Sequence, residues 1–485
     1  MCRDLRYKCK VHCVEIDCRI MTASKRLAVP FTLLLMATAL AEQWDGYPSE
    51  PSVVTTAPEP VRLRLSDPAG PAAGEASESG WAFVTPEPPI ADPVNSESVL
   101  AESMMHDADS ALATDEQFQV EVDPQTMLVN EYCVCCPRVW ASVEYVLLWP
   151  DGLRLPGLVT TSASGTPQID AARLNLPTTT VLLGQEDVND SPRSGARFTL
   201  GGWIDQCDML GVELSFLVLG NDETHFRAGD QLDILGRPFF HVLNDEQDAQ
   251  LLSFPGISDG SIALEIKSEF YTGQALARKR LASTRNSYID GLVGYRIAGL
   301  SDEIFIDESS TILAGPVAGT LLELSDQFRT RNTFHGVDLA LRYGMVANPG
   351  LEFQLAGNVA LGTSRAQTEL MGSSTTTSGG VSTSSNTGFL VQPTNAGSYT
   401  DDAFSTVSEF GVSARHMFRP GLSLTVGYTA LFWHDVIRAG DQIDTSINTS
   451  QFPPGVLVGE ARPFIQNTKT TFWAHGIRVG LEYFF

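Results

Sequence analysis

From Val139 onward the chain alternates apolar and polar positions in runs of about ten residues, the period of strands whose two faces meet different surroundings. The clearest run closes the chain. Trp473, His475, Ile477, Val479, Leu481, Tyr483 and Phe485 share one face, and Ala474, Gly476, Arg478, Gly480, Glu482 and Phe484 the other. The same division recurs where Leu351, Phe353, Leu355, Val359 and Leu361 oppose Glu352, Gln354 and Asn358. It recurs again where Val337, Leu339, Leu341, Tyr343 and Met345 oppose Asp338, Ala340 and Arg342, and over 422–432. Ten strands are predicted, near 139–149, 195–204, 209–219, 262–272, 285–298, 327–345, 351–365, 404–418, 421–434 and 471–485.

The connections separate a membrane barrel from a soluble β-sandwich, which could also alternate. Short gaps at 205–208, 346–350 and 419–421 take turns with long ones near 150–194, 220–261, 299–326, 366–403 and 435–470, and only 273–284 is intermediate. Short periplasmic turns and long extracellular loops are the arrangement of outer-membrane barrels, and closure satisfies every backbone group in lipid. The expected fold is therefore all-β, an antiparallel transmembrane β-barrel of about ten strands, or 12 if strands lie hidden in the loops. Aromatic residues on the greasy face gather at strand ends, with Trp149, Phe432 and Trp473 toward the loops and Tyr343, Phe418, Tyr483 and Phe485 toward the turns. His335, His416 and His475 also avoid the midplane, where a charge costs about 2–4 kcal/mol.

Composition changes the picture mainly at the N-terminal end. Residues 21–41 carry a basic start (Lys25, Arg26), an apolar stretch from Leu27 to Leu40, and Ala39 and Ala41 at the spacing of a cleavage site. Cleavage before Glu42 and a true start at Met21 are expected. Residues 42–131 hold 18 acidic residues against Arg62 and Arg64, and so little apolar surface predicts disorder. The net charge of −26 over 485 residues thus divides into +4 for the leader, −16 for this segment and −14 for 132–485, the barrel. With no basic stripe, nucleic acid is excluded as a partner. Beyond residue 41 no apolar run reaches the roughly 18 residues of a spanning helix.

Four cysteines follow the leader. In an exported chain Cys133, Cys135, Cys136 and Cys207 are disulfide candidates, with Cys207 expected to pair with one of the other three. The inferred lumen face carries Glu144, Glu213, Glu265, Glu269, Asp290, Asp338, Glu352, Glu409 and Glu482 against Arg197, Lys267, Arg296, Arg342, Arg415 and Arg478. Either these pair with one another inside a narrow barrel, or a slight carboxylate excess lines a weakly cation-selective channel. About eight strands enclose only side chains or one small ligand, so ten predict a narrow interior.

A catalytic site is not expected. His434 with Asp435, and His225, His241 and Asp245 in the second long connection, could be imagined as an outer-membrane hydrolase site, but adjacent strand residues point to opposite faces. No zinc-binding helix motif or phosphate-cradling loop is present. No metal or cofactor is expected. The polar connection at 366–403 reads as a flexible surface loop, with recognition or adhesion as its functional alternative.

The stretches Asp326-Gln-Phe-Arg-Thr-Arg-Asn-Thr-Phe-His-Gly336, Ala360-Leu-Gly362, Val436-Ile-Arg-Ala-Gly-Asp-Gln-Ile-Asp444 and the terminal Thr471–Phe485 resemble the β-barrel porin family BBP7 over roughly 132–485. The resemblance implies an outer-membrane barrel of no established activity; passive permeation of small solutes is the expected function, the alternative being a closed structural or surface-interaction barrel. The lipid-facing Trp473, Ile477, Val479, Leu481, Tyr483 and Phe485 also resemble the signal read by the barrel-assembly machinery. Expected partners are therefore that machinery, outer-membrane lipid and other copies of the chain.

Overall fold

A computed structural model describes residues 139–205, 208–229, 231–452 and 455–485. The expectations for the leader, the acidic segment and the four cysteines lie outside these residues. Among the described residues ten antiparallel strands close a ring: β1 (Val139–Pro150), β2 (Arg193–Trp203), β3 (Leu210–Leu219), β4 (Ser258–Ser283), β5 (Ser287–Ile312), β6 (Leu321–Asn348), β7 (Leu351–Ser378), β8 (Gly397–Arg419), β9 (Leu422–Ile437) and β10 (Lys469–Phe484). Each strand pairs with its neighbours in sequence, and β10 returns to β1 with Trp140 opposite Phe484. No helix among the described residues is long and apolar enough to cross a membrane.

The alternating side chains decide the faces. Val143, Leu341, Leu355, Val426 and Leu481 are exposed on the outside, whereas Glu144, Arg197, Asp290 and Asp338 are buried inside. The first set makes the outer surface of the ring greasy. The rim that holds Val139 and Phe485, joined by the Phe485 N–H to the Val139 carbonyl, carries the tight turns. Two of these need glycine, because Gly350 (φ +103°) and Gly421 (φ +77°) sit in the left-handed region that a Cβ disfavours.

The strand count agrees with the sequence, but several boundaries do not. A tilted strand needs about 9–11 residues to cross the membrane. β4–β7 have 26 or 28 residues and β8 has 23. The intermediate connection at 273–284 is strand up to Ser283 and turns only after it. The expected loop at 299–326 is β5 and β6 continuing outward to a connection at 313–320, and 366–403 is the ends of β7 and β8 around a strand at Val381–Ser385.

Beyond the membrane the amphipathic pattern inverts, which explains these differences. The inward positions Ile262, Leu264, Ile266, Ile304, Ile306, Phe328 and Leu370 become apolar because the other connections fold onto them. Those connections form a second sheet of five strands, Val159–Ser162, Thr179–Leu183, Leu235–His241, Glu246–Ser253 and Ser446–Ile447. Leu155, Val159, Leu235 and Ile443 join the inward strand residues in one core.

Candidate functional site: a tiered lumen

Nearest the turn side, the barrel interior is a closed set of ion pairs. Asp290 accepts from Arg278, at 2.5 Å from its Nη2, and from Arg280. Glu213 takes Arg342 at 2.5 Å and Arg278 at 3.5 Å. Arg296 bonds Asp338 at 2.8 Å and Glu409 at 3.2 Å, and Glu409 also binds Arg197. Arg415 bridges Glu352 and Glu482, and Arg478 lies 3.3 Å from Glu144. Seven carboxylates thus meet seven guanidiniums, each with a partner. Paired this way the groups offset part of the several kcal/mol that burying each ion costs. A polar cavity of about 210 Å³ remains among them, with Trp140 and Trp203 at its wall.

Above the charges the lumen turns apolar. Phe270 of β4 and Phe472 of β10 stand four strands apart around a ten-strand ring, yet their ring centroids are 5.1 Å apart. Phe334 of β6 meets Trp433 of β9 edge-on at 6.2 Å. With Val146, Leu217, Ala298, Ala360, Val407 and Leu431 they form one buried cluster spanning the interior. These are inward positions, so this cluster belongs to the lumen and not to the lipid face.

A third tier fastens the chain after β9 into the outer mouth. The Asn332 side chain accepts from the Ile437 N–H at 2.9 Å and donates to the Ile437 carbonyl at 2.8 Å. The Arg438 guanidinium donates to Asp302 at 2.5 Å and lies over the Phe472 ring at 5.5 Å. Higher still, Arg237 of the outer sheet meets Glu308 at 2.9 Å and Asp326 at 3.0 Å, all three buried. Asp326 also accepts the Leu390 and Val391 N–H groups, which draws the segment after the 381–385 strand into the core.

Of the lumen residues expected from sequence, Glu144, Arg197, Glu213, Asp290, Arg296, Asp338, Arg342, Glu352, Glu409, Arg415, Arg478 and Glu482 meet in the first tier. Glu265, Lys267 and Glu269 do not. They lie on β4 where the pattern has inverted, and they face outward while their strand neighbours Leu264, Ile266 and Phe270 face in. Lys267 pairs there with Glu265. Sequence reading misses Arg278 and Arg280 because 273–284 looks like a connection: they share the inward face with the apolar Leu276, and the charged Lys279 on the outward face breaks the alternation. On the outer face one carboxylate or ring-nitrogen atom from each of Glu223, His225 and Glu265 comes within 4.8 Å of the others, an acidic cluster whose charge the Lys267 ammonium partly offsets.

The histidines considered for hydrolysis are separately engaged. His434 bonds the Thr471 hydroxyl at 3.0 Å, His241 the Thr449 hydroxyl at 3.0 Å, and His225 lies 3.7 Å from Glu223. The C-terminal residues Trp473, Ile477, Val479, Leu481, Tyr483 and Phe485 are exposed on the outside of β10 and at its end.

The family described as "Putative beta barrel porin-7 (BBP7)" matches residues 140–485. No curated protein matches the sequence. Solved structures similar to the chain include the outer membrane protease OmpT from Escherichia coli, at 8% identity, 72% of this chain, 98% of that chain and a TM-score of 0.32. A Pseudomonas aeruginosa FadL homologue is similar at 9% identity, 72% of this chain, 90% of that chain and a TM-score of 0.23. The Pseudomonas putida toluene transporter TodX is similar at 6% identity, 71% of this chain, 89% of that chain and a TM-score of 0.18. Likenesses this low say nothing of what the barrel does.

Proposed function

The chain belongs to the BBP7 family of β-barrel porins, and from that premise we propose that it is an outer-membrane barrel closed to passive diffusion, serving to hold a rigid domain at the cell surface. The observation that carries this reading is the Phe270–Phe472 contact across the lumen, at 5.1 Å between ring centroids. An open porin keeps a polar, water-filled passage, and apolar constrictions block ions by dewetting. Here the apolar tier is backed by the Arg438–Asp302 tier and then by the core of the outer sheet.

The matched carboxylates and guanidiniums of the first tier support pairing as their role, since no carboxylate excess is left to select cations. Export through a cleaved signal, and delivery of the Trp473–Phe485 strand to the assembly machinery, complete the reading. Full-length protein reconstituted in planar bilayers is expected to give no single-channel steps at either polarity up to about 100 mV, the scale of a membrane potential. Regular steps from the unmodified chain would overturn closure and favour passive permeation of small solutes.

A further inference from the structure

At the loop-side edge of the greasy face, an aromatic ledge lies beneath a carboxylate overhang. His475 is stacked between Trp149 (centroids 6.1 Å, 21° between planes) and Trp473 (5.3 Å, 17°), and the Tyr428 hydroxyl holds its Nδ1. Directly above, the chain leaves β1 and is pressed against the segment at 187–190. A Cβ on Gly152 would lie 2.8 Å from the Asp187 Cβ and 3.2 Å from the Asp190 Cβ. This approach gathers Asp151, Asp187 and Asp190 around a groove of about 550 Å³, whose lower wall is Tyr428, Trp473 and Ile477.

An interfacial girdle needs the rings alone. The carboxylates are extra, and their charge is incompletely met. Arg438 is 3.9 Å from Asp151 but donates to Asp302 at 2.5 Å, and the exposed Arg154 is 3.9 Å from Asp187. Burial, aided by the nearby Asp187 and Asp441 carboxylates and opposed by Arg438, pushes the Asp151 carboxyl above its ordinary value. Such a group gains from a cation placed beside it.

We infer that this groove is a lipid site, taking the headgroup of an outer-leaflet lipid that bears an amine or quaternary ammonium. The cation sits between the aspartates and the faces of Trp149 and Trp473, the combination of charge and aromatic surface that favours ammonium groups. Arg154 is free in direction to meet the lipid phosphate, since its side chain is 82% exposed. The acyl chains continue down the apolar exterior past Ile477 and Val479, both exposed. The inference rests on the outer-membrane placement but not on whether the lumen is closed.

The test uses the tryptophans as reporters. Full-length protein is reconstituted in phosphatidylglycerol vesicles doped with either acyl-brominated phosphatidylcholine or acyl-brominated phosphatidylglycerol, and quenching is compared at equal bromine content. The choline lipid is expected to quench about threefold more effectively, the ratio that a cation–π contact at an exposed site supports. Asp187→Asn/Asp190→Asn should bring the ratio to about one, and Trp473→Phe should remove most of the difference, which assigns it to the groove. Equal quenching by both lipids in the unmodified protein would overturn the site, as would a preference that survives Asp187→Asn/Asp190→Asn. Loss of the preference on adding micromolar free phosphocholine would overturn the assignment to a lipid, because the chains would then contribute nothing. Heat-modifiable gel migration checks that each variant still forms the barrel.

Discussion

Asp290 is the meeting point of two guanidiniums, because Arg278 and Arg280 converge on it from β4 and nothing else within reach replaces it fully. Arg278 keeps only Glu213 at 3.5 Å, and Glu213 is already committed to Arg342 at 2.5 Å. Asp290→Ala leaves two guanidiniums short of a partner beside a largely buried polar cavity, and breaking a buried pair from one side costs about 3–5 kcal/mol. A loss of that size is expected in denaturant unfolding of the protein in lipid vesicles, and a loss below about 1 kcal/mol would mean that water reaches this tier. The twelve first-tier residues legible in the sequence share one property: each is a charge on the polar face of a strand whose other face is greasy. Arg278 and Arg280 lie where Leu276 on their own face and Lys279 on the other break that pattern, and the strand end is misplaced with it.

At the scale of the element, the inversion of polarity along β4–β7 limits what sequence alone reveals. Within the membrane the apolar face is outside, as with Leu339 and Leu341; beyond it the apolar face is inside, as with Phe328 of the same strand. A reading that equates polar with lumen therefore counts the strands correctly, yet turns Glu265 and Lys267 inward and takes the outer strand ends for loops. Tertiary cover decides the face there, and the covering segments are distant in sequence. The segment after the 381–385 strand illustrates this. Its Ser- and Thr-rich neighbours predict flexibility, but Phe389, Leu390 and Val391 are buried and fixed by Asp326. Chymotrypsin added to reconstituted protein should therefore leave the bonds after Phe389 and Leu390 intact, and early cleavage there would contradict the docked geometry. Gly388→Ala offers the converse case, since a Cβ would stand 2.0 Å from the Asp326 Oδ1. Overpacking of this kind costs about 1–3 kcal/mol, and the variant should become cleavable after Phe389 while the barrel persists.

For the whole molecule, closure and charge balance make separate claims that one variant can test together. The ring is held by ten continuous ladders, so its stability does not rest on the apolar tier alone. Phe270→Ala/Phe472→Ala removes the pair that meets across the lumen, at a cost of about 3–5 kcal/mol per ring. If that tier is the seal, the variant should show brief conducting events that the unmodified chain lacks, limited in length by the Arg438–Asp302 tier above. Adding Asp302→Ala, which frees Arg438 and the chain after β9, should lengthen them. Ions entering this passage would meet seven carboxylates and seven guanidiniums already bonded to one another. The reversal potential under a salt gradient should therefore stay near zero. Strong cation selectivity would show that the carboxylates are freer than their pairing requires, and conduction that appears only with Asp302→Ala would place the seal in the Arg438 tier and not at the phenylalanines.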